Sequence, residues 1–136
     1  MDRAALVSIE VAVVGLIIAW LQLEYAKRRD KLLDFKSAWT EVHKAMMDFR
    51  LKQAILDHPD YWGKTPEQAA IDAFSSLHFL RGQLDRTPDS PLAIEMSNFL
   101  EVNWISSDKW RGSADFNKTF DKYIHEAQKR TIQKKL

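Results

Sequence analysis

The feature that most constrains this chain is an almost unbroken apolar run over residues 4–23, which a single charge, Glu10, interrupts. An α-helix needs about 20 apolar residues to cross the hydrocarbon core of a bilayer. Inside that core the backbone polar groups must be paired within the segment, which a helix achieves. The sequence therefore predicts a membrane-spanning helix near the amino terminus.

The charges on the two sides of this run differ. Arg3 and Asp2 precede it, whereas a basic cluster comes after it: Lys27, Arg28, Arg29 and Lys31. Positive charge is retained on the cytoplasmic side of a membrane, so we expect an inner-membrane protein with its amino terminus outside and its remaining chain in the cytoplasm. Trp20 and Tyr25 then fall at the cytoplasmic headgroup level, where amphipathic rings anchor a helix. The basic cluster can contact anionic lipids there.

A cleaved signal peptide is the competing interpretation, because residues 11–23 resemble the apolar region of such a peptide. A small-x-small cleavage motif is missing, since Glu24 and Tyr25 precede Ala26. The basic cluster also lies on the wrong side for export. An uncleaved anchor therefore accords better with the sequence.

Length and composition limit what the part of the chain after the anchor can form. The 136 residues allow a span over 1–26 and one domain over 27–136. A composition of 46% hydrophobic and 29% charged residues supports a folded core. The formal net charge of +1 gives no overall field for nucleic acid, and the lack of cysteine excludes disulfides and thiolate metal sites. We therefore expect lipid and protein partners, with no nucleic acid and no metal.

Glycine and proline are scarce and no segment alternates with a period of two, so the sequence predicts an all-α fold. The first helix meets no breaker before residue 57, and a loop is expected over residues 57–64. Thr65 and Pro66 then give a capping residue before a proline at the first helical position, with Gln68 placed to close a capping box. Further starts are expected at Ser90 and Ser113, with a loop over residues 106–112 between the last two helices.

Apolar residues at steps of three and four predict the buried faces. The first helix would carry the spanning segment into an antiparallel cytosolic bundle of about four helices, or form a coiled coil between chains; we favour the bundle, because three further amphipathic helices need a partner. The predicted core residues are Leu32, Phe35, Trp39, Val42, Met46, Phe49 and Leu56, with Gln53 breaking the series; Ala70, Ala73, Phe74, Leu77, Leu80 and Leu84; Leu92, Met96, Phe99, Leu100 and Asn103; and Phe116, Phe120, Ile124 and Ala127.

One stripe of the spanning helix carries small side chains. Ser8, Ala12, Gly15 and Ala19 have the same three-four spacing. Small residues let helix backbones approach closely in lipid, where association depends on van der Waals packing and hydrogen bonds. The stripe predicts self-association or docking onto another spanning helix. The simpler interpretation is that small residues are common in such helices.

Glu10 lies roughly 5 Å from the middle of the span at 1.5 Å per residue. It points away from the stripe of small residues, onto the face of Val13 and Ile17. An intramembrane carboxyl indicates a functional position: it can be protonated, pair with another protein, or line a water-filled lumen. The alternative is that the helix is displaced along its axis and Glu10 reaches the interface.

The remaining chain carries no motif typical of an enzyme. The histidines form neither HExxH nor ExxH pairs, and neither a glycine-rich phosphate loop nor a nucleophile elbow occurs, so we expect no catalytic residue, metal or cofactor. Tyr61 and Trp62 either close one end of the bundle, which we favour, or bind a partner. The basic tail, Lys129, Arg130, Lys134 and Lys135, can touch phosphates of lipid or nucleic acid, although a solvated helix end is the simpler interpretation.

Together these features predict a non-enzymatic assembly or accessory subunit of a membrane complex. The spanning helix would pack through its small stripe and Glu10, and the cytosolic bundle would dock. A homo-oligomeric pore or membrane-perturbing effector, with Glu10 facing the lumen of a ring, is the alternative.

Overall fold

The computed structural model describes residues 2–105, 110–111 and 113–135. Four α-helices occur in this part of the chain: α1 (Arg3–Asp57), α2 (Pro66–Asp85), α3 (Ser90–Ile105) and α4 (Ala114–Thr131). A single 3-10 turn, Pro59–Trp62, lies between α1 and α2, and the described residues contain no strand. The prediction of an all-helical chain is confirmed. Most of the loop predicted over residues 106–112 lies outside the described residues.

The chain forms two compact units, Met1–Asp34 and Phe35–Leu136. The first unit contains only the beginning of α1, and its described residues are exposed apart from partial burial at Glu24, Ala26 and Leu32. The second unit contains the rest of α1 and the other helices, and it holds the hydrophobic core. The boundary expected after residue 26 falls inside the first unit.

Side-chain caps set the starts of α2 and α4. Thr65 is extended, and its hydroxyl accepts a hydrogen bond from the backbone N–H of Gln68 at 3.2 Å. Ser113 does the same for Phe116 at 3.4 Å. Both predicted caps are confirmed. The hydrogen bonds of the described residues do not include the predicted capping-box bond from the Thr65 N–H to the Gln68 side chain, whose Nε2 donates to Asp72 at 2.9 Å.

Gly63 ends the 3-10 turn in the left-handed region, with φ 69°. Its N–H donates to the carbonyl of Asp60 at 3.1 Å, and the N–H of Lys64 donates to the carbonyl of Pro59 at 3.0 Å. A side chain at this φ is strained, so glycine suits the position. The turn therefore redirects the chain from α1 into α2 over a few residues.

The core of the second unit draws residues from all four helices. Its centre is aromatic: the ring centroid of Phe49 lies 5.3 Å from Phe120 and 6.1 Å from Phe116. Most of the α1 residues predicted to be buried lie in this core, but Leu56 packs only partly against it and Leu32 lies outside it. The buried members are Phe35, Trp39, Val42, Ala45, Met46 and Phe49 from α1; Ala73, Leu77, Leu80 and Leu84 from α2; Ala93, Met96 and Leu100 from α3; Trp110; and Phe116, Phe120, Tyr123 and Ala127 from α4.

Several predicted faces need correction. Phe74 was assigned to the core but is 43% exposed, and Ala69 and Ser76 are buried on α2 instead. On α4, Tyr123 is buried, while Ile124 packs only partly against the core. Gln53 occupies the same face of α1 as the apolar series and is itself buried. The predicted three-four spacing agrees with the structure. At the edges of the faces of α2 and α4, however, some buried residues are neighbours of the ones predicted.

Candidate functional site

The first unit presents its predicted packing stripe on an open helix surface. Ser8, Ala12, Gly15 and Ala19 are all exposed. A Cβ atom placed on Gly15 would meet no atom within 4 Å, so nothing in the described chain fills the space beside this glycine. The stripe is therefore available for a second helix backbone to approach.

Glu10 is exposed on the same helix, and no other charged residue occurs between Arg3 and Glu24. Its neighbours one turn away, Leu6 and Val13, are 47% and 49% exposed. No basic residue lies within one helical turn of this carboxyl.

The predicted membrane-surface residues are also exposed. Trp20 and Tyr25 are 60% and 70% exposed. Lys27 lies 3.9 Å from Glu24 in an ion pair on the helix surface. Arg28 and Arg29 are exposed. The end of the apolar segment therefore carries accessible aromatic and cationic side chains, as headgroup contact requires.

A second exposed surface lies on α2, which we call the outer face of α2 and define as Ile71, Phe74, His78 and Phe79. Ile71 and Phe79 are each 58% exposed. These residues lie opposite the buried series of Ala73, Leu77 and Leu80, so α2 is apolar on two sides. This face was not predicted from the sequence, because only one apolar stripe was assigned to each helix. Ile71 and Phe79, which fall outside that stripe, were the signal that could have shown it.

Trp104 of α3 borders the outer face of α2. Its ring centroid lies 5.0 Å from Phe74 and 5.0 Å from His78 in edge-on geometry. The guanidinium of Arg81 lies 5.4 Å from the same ring and 3.5 Å from a carboxylate oxygen of Glu101. An exposed apolar face bordered by charged side chains is typical of a protein-contact surface.

A polar network joins α1 to α4. Nη1 of Arg50 donates to Oδ1 of Asn117 at 2.9 Å and to Oε1 of Gln53 at 3.0 Å. Nη2 of Arg50 donates to the carbonyl of Asn117 at 3.0 Å and to Asp121. Nε2 of Gln53 donates to the carbonyl of Trp110 at 2.6 Å. These groups satisfy one another, so the network holds α1 and α4 together.

A second charged cluster ties the end of α4 to the α2–α3 connection. Arg130 pairs with Asp89 and, at 3.2 Å, with Glu126. Asp89 has a positive φ of 69°, which is uncommon for a residue with a side chain. Hydrogen bonds from Arg130 and then Lys129 lower the pKa of Glu126 below its usual value. The Arg130 guanidinium also lies 5.3 Å from the centroid of the buried Trp39 ring.

Tyr61 and Trp62 remain in solvent. Tyr61 is 84% exposed and Trp62 is 51% exposed, with their rings 5.7 Å apart. The favoured prediction, that they close one end of the bundle, is wrong. The short 3-10 turn ends at Gly63 and leaves both rings outside the core.

Among the described residues, no group of three or more His, Asp or Glu side chains is placed to hold a metal ion. No protein-family model, curated protein or solved structure matches the chain. The exposed first unit and the outer face of α2 are therefore the features from which a function can be inferred.

Proposed function

We propose that this protein is a non-enzymatic, single-pass membrane protein that acts as an assembly or accessory subunit of a membrane complex. The observation that supports this most is the exposure of the apolar segment of α1. The segment is long and apolar enough to cross a membrane, and none of its most apolar window is buried in the protein.

The energetics of exposure favour a lipid environment. Large aliphatic side chains such as Val11, Leu16 and Ile18 are 50–71% exposed along this segment. Leaving a side chain of this size in water instead of burying it costs roughly 2 kcal/mol. This free-energy cost adds up over the side chains of the segment. It is removed when acyl chains or another apolar helix surround α1.

The two helix faces of the first unit support assembly. The stripe of Ser8, Ala12, Gly15 and Ala19 permits close backbone contact with another spanning helix. Glu10 favours a neighbour that supplies a basic or amide group, since an unpaired charge in the bilayer is costly. The basic residues after the span favour a cytoplasmic second unit in a cell inner membrane, where the outer face of α2 offers a further protein contact.

The packing stripe is tested by replacing its glycine. Gly15→Leu fills the space beside the backbone, so we expect partner recovery and particle mass to fall after purification in mild detergent. Val14→Leu is the matched control, because it adds one methylene on a different face of the helix. Unchanged mass and partner recovery in Gly15→Leu would reject the packing role.

The second candidate is a homo-oligomeric pore or membrane-perturbing effector, which Glu10 favours because a carboxyl can line a water-filled lumen. Conductance of the isolated protein in liposomes separates the two functions. Channel activity that Glu10→Leu abolishes would support the pore and overturn the subunit.

A further inference from the structure

We propose that the basic carboxyl-terminal segment, residues 129–135, is a second membrane-contact site that binds the phosphates of anionic lipid headgroups. The inference rests on the proposed function, because it requires the second unit to lie on the cytoplasmic side, where anionic lipids are concentrated. It adds a ligand class and a site that the span itself does not supply.

The charge of this segment is one-sided. Residues 127–136 contain no Asp or Glu. Glu126 is shared by Lys129, at 3.4 Å, and Arg130, at 3.2 Å. Lys134 and Lys135 come after the helix and are exposed. Each lysine near an anionic surface favours contact about fivefold, so these two alone favour it about 25-fold.

The segment lies at the end of the second unit where the chain enters it. The second unit begins at Phe35, and Trp39 lies one helical turn later. The Arg130 guanidinium is 5.3 Å from the Trp39 ring centroid and is held there by Asp89 and Glu126. The carboxyl-terminal end of α4 is therefore beside the part of α1 that comes after the apolar run.

Trp39 comes sixteen positions after Leu23, the last residue of the apolar run, so the end of α4 packs against a part of α1 that is close in sequence to the predicted span. The field of an anionic lipid surface acts over about one Debye length, about 8 Å at physiological ionic strength.

The neighbouring side chains favour lipid over nucleic acid. Ile132 is 70% exposed and lies between the basic residues. Aliphatic side chains beside lysines are typical of interfacial membrane contacts. Single-stranded nucleic acid is bound through aromatic stacking, and residues 128–135 contain no aromatic residue.

The absence of cysteine allows a direct test in the full-length protein. Gln128→Cys, at an exposed position of α4, takes a fluorophore, and the protein is reconstituted into phosphatidylcholine vesicles with or without phosphatidylserine. A trace of headgroup-nitroxide lipid quenches a fluorophore that reaches the membrane surface. We expect quenching that requires phosphatidylserine and is lost at high salt.

The charge dependence is measured with matched pairs. Lys134→Gln with Lys135→Gln should reduce the contact equilibrium about 25-fold. Lys118→Gln with Lys122→Gln removes the same charge from exposed positions nearer the start of α4 and should leave quenching unchanged. Thermal melting of both double variants checks that the second unit remains folded.

The remaining outcomes are distinct. Equal quenching with and without phosphatidylserine, or in both double variants, overturns the inference. Binding of a labelled RNA oligonucleotide that depends on Lys134 and Lys135, without lipid quenching, assigns the segment to nucleic acid and also overturns it. Failure of the protein to float with vesicles rejects the proposed function and this inference together, whereas flotation without quenching rejects only this inference.

Discussion

Single polar residues connect the helices of the second unit. Gln53 is 8% exposed and both donates to the carbonyl of Trp110 and accepts from Arg50. Tyr123 donates to Glu95 at 3.1 Å, and burial together with that contact raises its pKa to about 12. Buried polar groups of this kind are costly when one partner is removed, because the other is left without a hydrogen bond.

Gln53→Leu should therefore destabilise the second unit by about 1–3 kcal/mol, although leucine is the more hydrophobic residue. The substitution leaves the Trp110 carbonyl and one Arg50 donor without their partner. Thermal unfolding in mild detergent measures the loss. Gln128→Leu, on the exposed side of α4, is the control and should change the stability by less than about 0.5 kcal/mol. Equal melting temperatures for the two variants would contradict the role assigned to Gln53.

The start of α2 is fixed by the loop that precedes it. Nζ of Lys64 lies 2.6 Å from Oδ2 of Asp72, and Thr65 caps the helix. The hydrogen bond from Lys64, and after it that from Gln68, lowers the pKa of Asp72 below its ordinary 3.8. The charged form is thus favoured in the folded state. The loop and the first two turns of α2 form one hydrogen-bonded segment.

The lowered pKa of Asp72 predicts a pH-dependent contribution to stability. This contribution is fully present above the ordinary pKa of 3.8 and is lost as the pH falls through the lower, folded-state pKa. We expect Asp72→Asn to reduce the dependence of the melting temperature on pH below about 4. Asp60→Asn, which replaces an exposed carboxylate in the 3-10 turn, is the control. An unchanged pH profile in Asp72→Asn would reject the assignment.

Helix ends were predictable from the sequence, whereas the edges of helix faces were not. Thr65 and Ser113 cap through local hydrogen bonds that depend only on neighbouring residues. Phe74 was misassigned because it lies at the edge of the apolar face of α2, where it meets Trp104 of α3 and stays 43% exposed. The Arg50 network joins residues far apart in the chain, and spacing within one helix carries no signal for it. The packing role of the stripe and the contact expected of Glu10 stay predictions, because both concern neighbours outside this chain.

The chain divides into a unit without a core and a unit with one. The described part of Met1–Asp34 has no buried residue, while Phe35–Leu136 holds the aromatic cluster around Phe49. Folding free energy is therefore concentrated in the second unit. The association that we propose for the apolar segment would depend on the first unit.

This division predicts that stability and association can be altered independently. Phe49→Ala should cost the second unit about 3–5 kcal/mol, because the ring is fully buried among Phe116 and Phe120. Gly15→Leu should leave that unfolding transition unchanged, since distant independent sites do not couple. Melting temperature is compared with particle mass in the same detergent. Leu51→Ala, at a 49% exposed position of α1, is the control for Phe49→Ala.

A comparable loss of melting temperature in Gly15→Leu would show that the two units unfold as one. The two units would then differ in how tightly they are packed but would not unfold separately. Loss of association in Gly15→Leu with intact unfolding would support the separation.

The outer face of α2 has an evolutionary consequence. Polar residues in place of Ile71 and Phe79 would leave the interior undisturbed, because both side chains point into solvent. Random mutation would then replace them as freely as any neutral surface position. Only a use outside the chain's own folding would preserve bulky apolar side chains there in descendant sequences, so their persistence would measure how much the organism depends on that use.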